Sequence, residues 1–142
     1  IVHISSVAAA AALPFQAYYS ATKSAINAYS LALANEVRPF GIEVCAVQPG
    51  DIRTGFTAAR KKLQRGDDVY AGRIARSVAR MEKDEQTGMQ PEQVAAFLRK
   101  LVAKKRLPPL TTIGASYRLA TLLLRLLPTR LSQWLLYLIY AR

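Results

Sequence analysis

The chain has 142 residues, of which 51% are hydrophobic, and its formal net charge is +11. That apolar fraction excludes a disordered chain, and the length supports one domain with a real core. A single cysteine and a single histidine exclude an internal disulfide and a thiolate metal site, so no metal is expected.

The first element is a short β-branched strand, Ile1–Ser5, which opens without a methionine or a preceding turn. It reads as the interior of a sheet, so the sequence is expected to be the C-terminal portion of a longer protein. His3 is expected to be a strand residue with a satisfied hydrogen bond. A helix is expected from Ala17 to about Pro39, with Ala25, Ala28, Tyr29, Ala32 and Leu33 recurring at three- and four-residue spacing. Its many alanines permit close approach by a partner helix, which favours a homo-oligomer. Gly41 breaks the helix, and Ile42–Val47 reads as a second buried strand carrying Cys45 as a small core residue. Strand, helix and strand with short joins predict a parallel crossover unit of an α/β sheet.

Pro49-Gly50 then ends the second strand, where ligands sit in open α/β sheets. Residues 53–84 are charged and mostly helical in propensity, with Gly66-Asp67-Asp68 as a break. Gln90-Pro91-Glu92 opens another helix through about Lys105, with Pro91 suited to its first position. A short strand is expected at Leu110–Ser116, followed by two apolar helices split by Pro128. The basic clusters Arg60-Lys61-Lys62 and Lys104-Lys105-Arg106 read as solvated faces.

Chemistry concentrates at Ser6, Tyr19 and Lys23. Residues four apart on a helix share one face, so Lys23 lies one turn from Tyr19. A phenol titrates near 10, and bringing it to about 7 takes roughly 4 kcal/mol of preferential phenolate stabilisation. One ammonium about 4 Å away contributes on that order at an effective dielectric of about 20. Tyr19 is thereby a candidate general acid toward a carbonyl, and a base toward an alcohol in reverse. Ser6, at the end of the first strand, has a hydroxyl placed to hydrogen-bond the substrate oxygen. Tyr18 has Thr22 rather than a lysine four residues on, so the role falls to Tyr19. Alone, such a pair is also what an ordinary surface helix would carry.

Three segments in order raise its weight: Ile1-Val2-His3-Ile4-Ser5-Ser6, then Tyr19-Ser20-Ala21-Thr22-Lys23-Ser24-Ala25, then Val47-Gln48-Pro49-Gly50-Asp51-Ile52-Arg53-Thr54. Across about Ile1 to Phe56 this pattern closely resembles the short-chain dehydrogenase/reductase superfamily. The resemblance implies an α/β fold, the C-terminal part of a doubly wound parallel-sheet Rossmann-type domain followed by C-terminal helices. It divides the single domain into a motif-bearing part (1–56), substrate-side helices with the last strand (57–116), and apolar basic tail helices (117–142). It also implies reversible hydride transfer between NAD(P)(H) and a small-molecule alcohol or ketone, with NADP slightly favoured. Ser6 matches the substrate-polarising serine, Tyr19 the proton donor, and Lys23 the residue that holds the nicotinamide ribose and lowers the tyrosine pKa. Pro49, Gly50, Ile52 and Thr54 match the loop that lines the nicotinamide. The Pro-Gly-x-x-x-Thr form looks less like the sugar-nucleotide epimerase branch, which shares the tyrosine–lysine pair.

The family's glycine-rich turn, ribose selector, Asn-Asn-Ala-Gly-like segment and catalytic asparagine do not occur here. All belong before Ile1, so these 142 residues alone are expected to bind dinucleotide poorly and to be inactive.

After Glu92 there is no carboxylate, whereas nine basic residues follow, from Arg99 to Arg142. No nucleic-acid signature accompanies this charge, so no nucleic-acid partner is expected. The helices within Tyr117–Leu127 and Arg130–Arg142 are too short to span a bilayer, which needs about 20 apolar residues. They are read as a lid or subunit contact, or as a peripheral membrane contact through Trp134, Leu135, Leu136, Tyr137 and Ile139 with arginines at the head groups. Either reading favours a fairly apolar substrate and a cytoplasmic location, at or away from a membrane surface. The competing function is a non-catalytic, membrane-associated interaction protein that keeps the fold.

Overall fold

In the computed structural model, which describes residues 1–61 and 66–142, three short strands form one parallel sheet. They are β1 (Val2–Ile4), β2 (Cys45–Gln48) and β3 (Leu110–Thr112), in that order across the sheet. Val2, His3 and Ile4 pair with Cys45, Ala46 and Val47, and Ala46, Val47 and Gln48 pair with Leu110, Thr111 and Thr112. All four residues of the central strand, the polar Gln48 included, are buried, as in a parallel sheet covered on both faces.

The helix α1 (Ala17–Glu36) links β1 to β2. A 3₁₀ turn at Arg38–Phe40 follows, and Gly41 ends it in the left-handed region at φ 70°, where a side chain would be strained. One face of the sheet packs Cys45 and Val47 against Leu101 and Ile113, with Phe97, Leu98 and Met89 around them. Each aliphatic side chain fully removed from water here contributes about 1.5–3 kcal/mol. Leu101, Phe97 and Leu98 come from α4 (Pro91–Val102), which opens with Pro91 in its first turn and a reciprocal capping box between Gln90 and Gln93.

On the opposite face α1 packs on β1 and β2. Ala25, Ala28, Tyr29 and Ala32 point to solvent, and the buried residues of α1 are Ser20 and Ser30. Hydroxyls can face a sheet because each finds a partner: Ser30 Oγ donates to the Ile26 carbonyl (2.6 Å) and lies 2.9 Å from His3 Nδ1.

Two strands are also displaced from their expected bounds. Ile42 and Glu43 stay exposed outside β2, where the Glu43 carboxylate accepts from the Leu107 amide (3.1 Å) and its carbonyl from the Ile1 main-chain nitrogen (2.6 Å). β3 stops at Thr112, since Gly114 adopts φ 90° and α5 (Ala115–Leu126) starts directly after it. Between β2 and α4 lie α2 (Phe56–Ala59) and α3 (Arg73–Gln86). α6 (Thr129–Tyr140) follows Pro128 and packs on α3. Lys62 of the basic cluster lies outside the described residues.

Candidate active site

The β1–β2 pairing continues past the strand ends. The Ser5 amide donates to the Val47 carbonyl (2.7 Å) and the Val7 amide to the Pro49 carbonyl (3.0 Å). Ser6 is thereby held beside the Pro49-Gly50 turn, at the carboxyl edge of the sheet. Its Oγ accepts from the Ala8 amide (3.1 Å), capping a 3₁₀ turn at Val7–Ala9. The sequence expectation had this hydroxyl free; instead its oxygen is part of a cap, and its proton is what remains to donate.

The serines around the Tyr19–Lys23 pair fasten α1 to the loop that carries Ser6. Ser24 Oγ donates to the Ala9 carbonyl (3.0 Å), Ser20 Oγ accepts from the Leu13 amide (3.2 Å), and Ser5 Oγ donates to the Lys23 carbonyl (3.0 Å). Lys23 Nζ donates to the Ile4 carbonyl (3.1 Å) and sits 5.7 Å from the centre of the Tyr19 ring. Amine and ring therefore share one side of α1.

A cleft of about 550 Å³ opens at this edge, and Ser6, Tyr19, Gly50, Ile52 and Thr54 all line it. The other two expected site residues stand beside it. Lys23 is half-buried against β1, and Pro49 is buried with its carbonyl engaged by Val7. Thr54 Oγ1 accepts from the Phe56 amide (3.2 Å), the same local capping that Ser6 performs.

The turn after β2 is clamped on two sides. Ile52 bridges Met89: the Met89 amide donates to Asp51 (2.9 Å) and the Arg53 amide to Met89 (2.9 Å). A Cβ on Gly88 would stand 2.5 Å from the Asp51 carbonyl group, so only glycine allows this approach. From the other side the Tyr117 ring lies across Gly50, where a Cβ would meet it at 2.4 Å.

Several side chains that sequence reasoning missed share the cleft: Asp51, Arg60, Asp84, Glu85 and Tyr140. Tyr117 Oη donates to Asp51 Oδ2 (2.9 Å) from behind. Burial pushes the Asp51 carboxyl up, the Tyr117 bond opposes this, and the Asp84 and Glu85 charges add to it. Burial, then the Asp51 bond, push the Tyr117 phenol up to about 12. Burial, then the Asp84 and Asp51 charges, push Tyr140 up to about 12 as well. Glu85 is committed elsewhere, since it pairs with Arg60 and accepts from Thr57 Oγ1 (2.6 Å). Arg80 Nε donates to Asp84 (3.0 Å) from a half-exposed position. Asp51 adjoins the Pro-Gly turn and could have been suspected; Asp84, Glu85, Tyr117 and Tyr140 come from distant helices with no local signal. Among the described residues no group of three histidine, cysteine or acidic side chains is arranged to hold a metal.

Comparison with known proteins bears on the family and the fold. Residues 1–65 match the family model for short chain dehydrogenase. The chain is 44% identical over 116 residues to 3-ketodihydrosphingosine reductase of Bacteroides thetaiotaomicron, covering 80% of this chain and 43% of that protein. It is 33% identical over 129 residues to dehydrogenase/reductase SDR family member 7B of Xenopus laevis, covering 91% of this chain and 36% of that one. A solved short-chain dehydrogenase from Streptomyces avermitilis superposes with a TM-score of 0.69 at 28% identity, covering 94% of this chain and 49% of its own. The chain thus spans about half or less of the length of the relatives it matches.

Proposed function

The chain belongs to the short-chain dehydrogenase/reductase superfamily, and from that premise we propose that the whole protein is an NAD(P)-dependent oxidoreductase acting on a long-chain amino ketone or its alcohol. The observation that carries the proposal is the convergence of Ser6, Tyr19, Gly50, Ile52 and Thr54 on one cleft, with the Lys23 ammonium beside the Tyr19 ring. An ordinary surface helix pair would not face a cleft floored by a strand-end serine. That convergence supports catalysis over a fold kept only for interaction.

The chemistry of the donor set fits a nicotinamide cofactor. The Lys23 ammonium, the Thr54 hydroxyl and the Ile52 main chain suit ribose hydroxyls, a phosphate and a carboxamide. When bound, the cofactor supplies or accepts the hydride at the substrate carbon. The rest is the work of this chain. Tyr19 gives its phenolic proton to the carbonyl oxygen as that oxygen gains charge, and takes it back in the reverse direction. Ser6, its oxygen already held by the Ala8 amide, points its remaining proton at the same oxygen. Lys23, pinned by the Ile4 carbonyl, keeps a positive charge next to the phenolate that results.

Two observations support the substrate class. One relative sharing 44% identity is a 3-ketodihydrosphingosine reductase, and that ketone carries an amine and a long alkyl chain. Among the carboxylates of the cleft wall Glu85 pairs with Arg60 and Asp84 with Arg80, which leaves Asp51, bonded to Tyr117, as the group that would draw an ammonium. The test is cofactor turnover by the full-length protein with 3-ketodihydrosphingosine and with its N-acetylated form. Oxidation of NADPH or NADH with the free amine at least tenfold faster supports the proposal; equal rates remove the amine from it, and no turnover with either removes the substrate class.

A further inference from the structure

α5 is built inside out. Leu119, Leu122, Leu123 and Leu126 follow the i, i+3, i+4, i+7 spacing of a core-facing stripe, yet they are 57%, 52%, 46% and 72% exposed. Thr121, on the opposite side, is buried and donates to the Arg118 carbonyl (3.0 Å). Beyond Pro128, α6 exposes Leu131, Trp134 and Tyr137, whereas Leu136, expected at a membrane contact, is buried. α5 and α6 carry Arg118, Arg125 and Arg130 and no carboxylate of their own. Behind the stripe a cavity of about 300 Å³ opens between β3 and α5, walled in part by Arg118 and Arg125. Gln48 also lines it, 1% exposed, with its Nε2 lacking a hydrogen-bond partner among the described residues. An apolar stripe thus lies beside arginines, of which Arg118 also donates to the Thr112 carbonyl (3.3 Å).

We propose that this face docks on an anionic lipid bilayer, the leucines of α5 and Trp134 entering the acyl boundary while Arg118, Arg125 and Arg130 meet head-group phosphates. Charge decides between a bilayer and a second copy of this chain. A two-fold interface sets a patch against itself, so a dimer through this face would bring arginines against arginines. A lipid surface rich in phosphatidylglycerol offers acyl chains and negative charge together. The contact is in-plane, because among the described residues no helix is long and apolar enough to cross a membrane. The proposal stands apart from the redox reading and survives its failure.

The test is sedimentation of the full-length protein with sucrose-loaded vesicles of phosphatidylcholine alone or with a third phosphatidylglycerol. Binding to the anionic vesicles and little to the neutral ones is expected. Arg125→Gln with Arg130→Gln should weaken that binding about 30-fold, since each basic side chain at such a surface contributes a factor of about five. Leu122→Gln with Leu126→Gln should weaken it tenfold or more, with near-ultraviolet circular dichroism unchanged because both side chains are already exposed. Equal binding to both vesicle types, or no loss in either double variant, overturns the proposal. So does a leucine variant that turns a dimer into a monomer in lipid-free buffer without altering vesicle binding.

Discussion

Tyr117, near the start of α5, donates a 2.9 Å hydrogen bond to Asp51, the residue that follows the Pro49-Gly50 turn. This bond ties the C-terminal helices to the loop that would face a nicotinamide, and gives a half-buried carboxylate its partner. Tyr117→Phe keeps the ring over Gly50 and removes only that bond. Chemical denaturation should show a loss of about 1–3 kcal/mol, the range for stranding a partly buried charged acceptor.

The same bond sets a pH dependence. Tyr117 and Tyr140 are both pushed up to about 12 from an ordinary value near 10, so the fold holds their protons more tightly than the unfolded chain does. Their stabilisation is complete below about pH 10 and drains away as pH rises through about 12. Asp51 is also raised, so ionising it in the fold carries a cost that is absent below pH 4 and present at neutrality. Melting temperatures should fall between about pH 9 and 12, and the fall should be shallower in Tyr117→Phe.

Glycine substitutions should separate the clamped turn from its surroundings. A Cβ on Gly88 meets Asp51 backbone at 2.5 Å, whereas one on Gly55 meets nothing within 4 Å. Gly88→Ala should cost about 1–3 kcal/mol and Gly55→Ala less than 0.5 kcal/mol, read from urea midpoints. Gly50→Ala collides with the movable Tyr117 ring, so Tyr117→Ala in the same chain should recover part of its loss.

Lys23→Met in the full-length protein should lower kcat/KM about 100-fold by removing the charge beside Tyr19. The loss should appear in kcat as well as in KM, because the ammonium acts on the developing phenolate as well as on a bound ribose. A change confined to KM would leave Lys23 a binding residue only.

Much of this was legible in the sequence because it rests on local rules. The parallel strand–helix–strand unit follows from two short apolar runs around a long helical pattern, and Pro91 and Gly41 mark ends as their backbone preferences require. Tyr19 and Lys23 share a face by helix geometry alone. The inward face of α1 was not legible, since Ser20 and Ser30 point inward through hydrogen bonds to partners as far away as Leu13 and His3. The same is true of the cleft wall, where Asp84, Glu85 and Tyr140 meet Asp51 only because α3 and α6 pack together. The sequence left α5 open as a lid, a subunit contact or a membrane contact, and the structure exposes its leucine stripe.

The most direct measurement is turnover of the full-length protein carrying Tyr19→Phe, with a competent ketone and saturating NADPH. Tyr19 is 39% exposed, so the lost hydroxyl should leave stability almost unchanged. A fall in kcat of about 100- to 10,000-fold in a folded variant is the result expected of the proton donor. A rate within about twofold of the unmodified protein would contradict the account, because the proton would then come from another group.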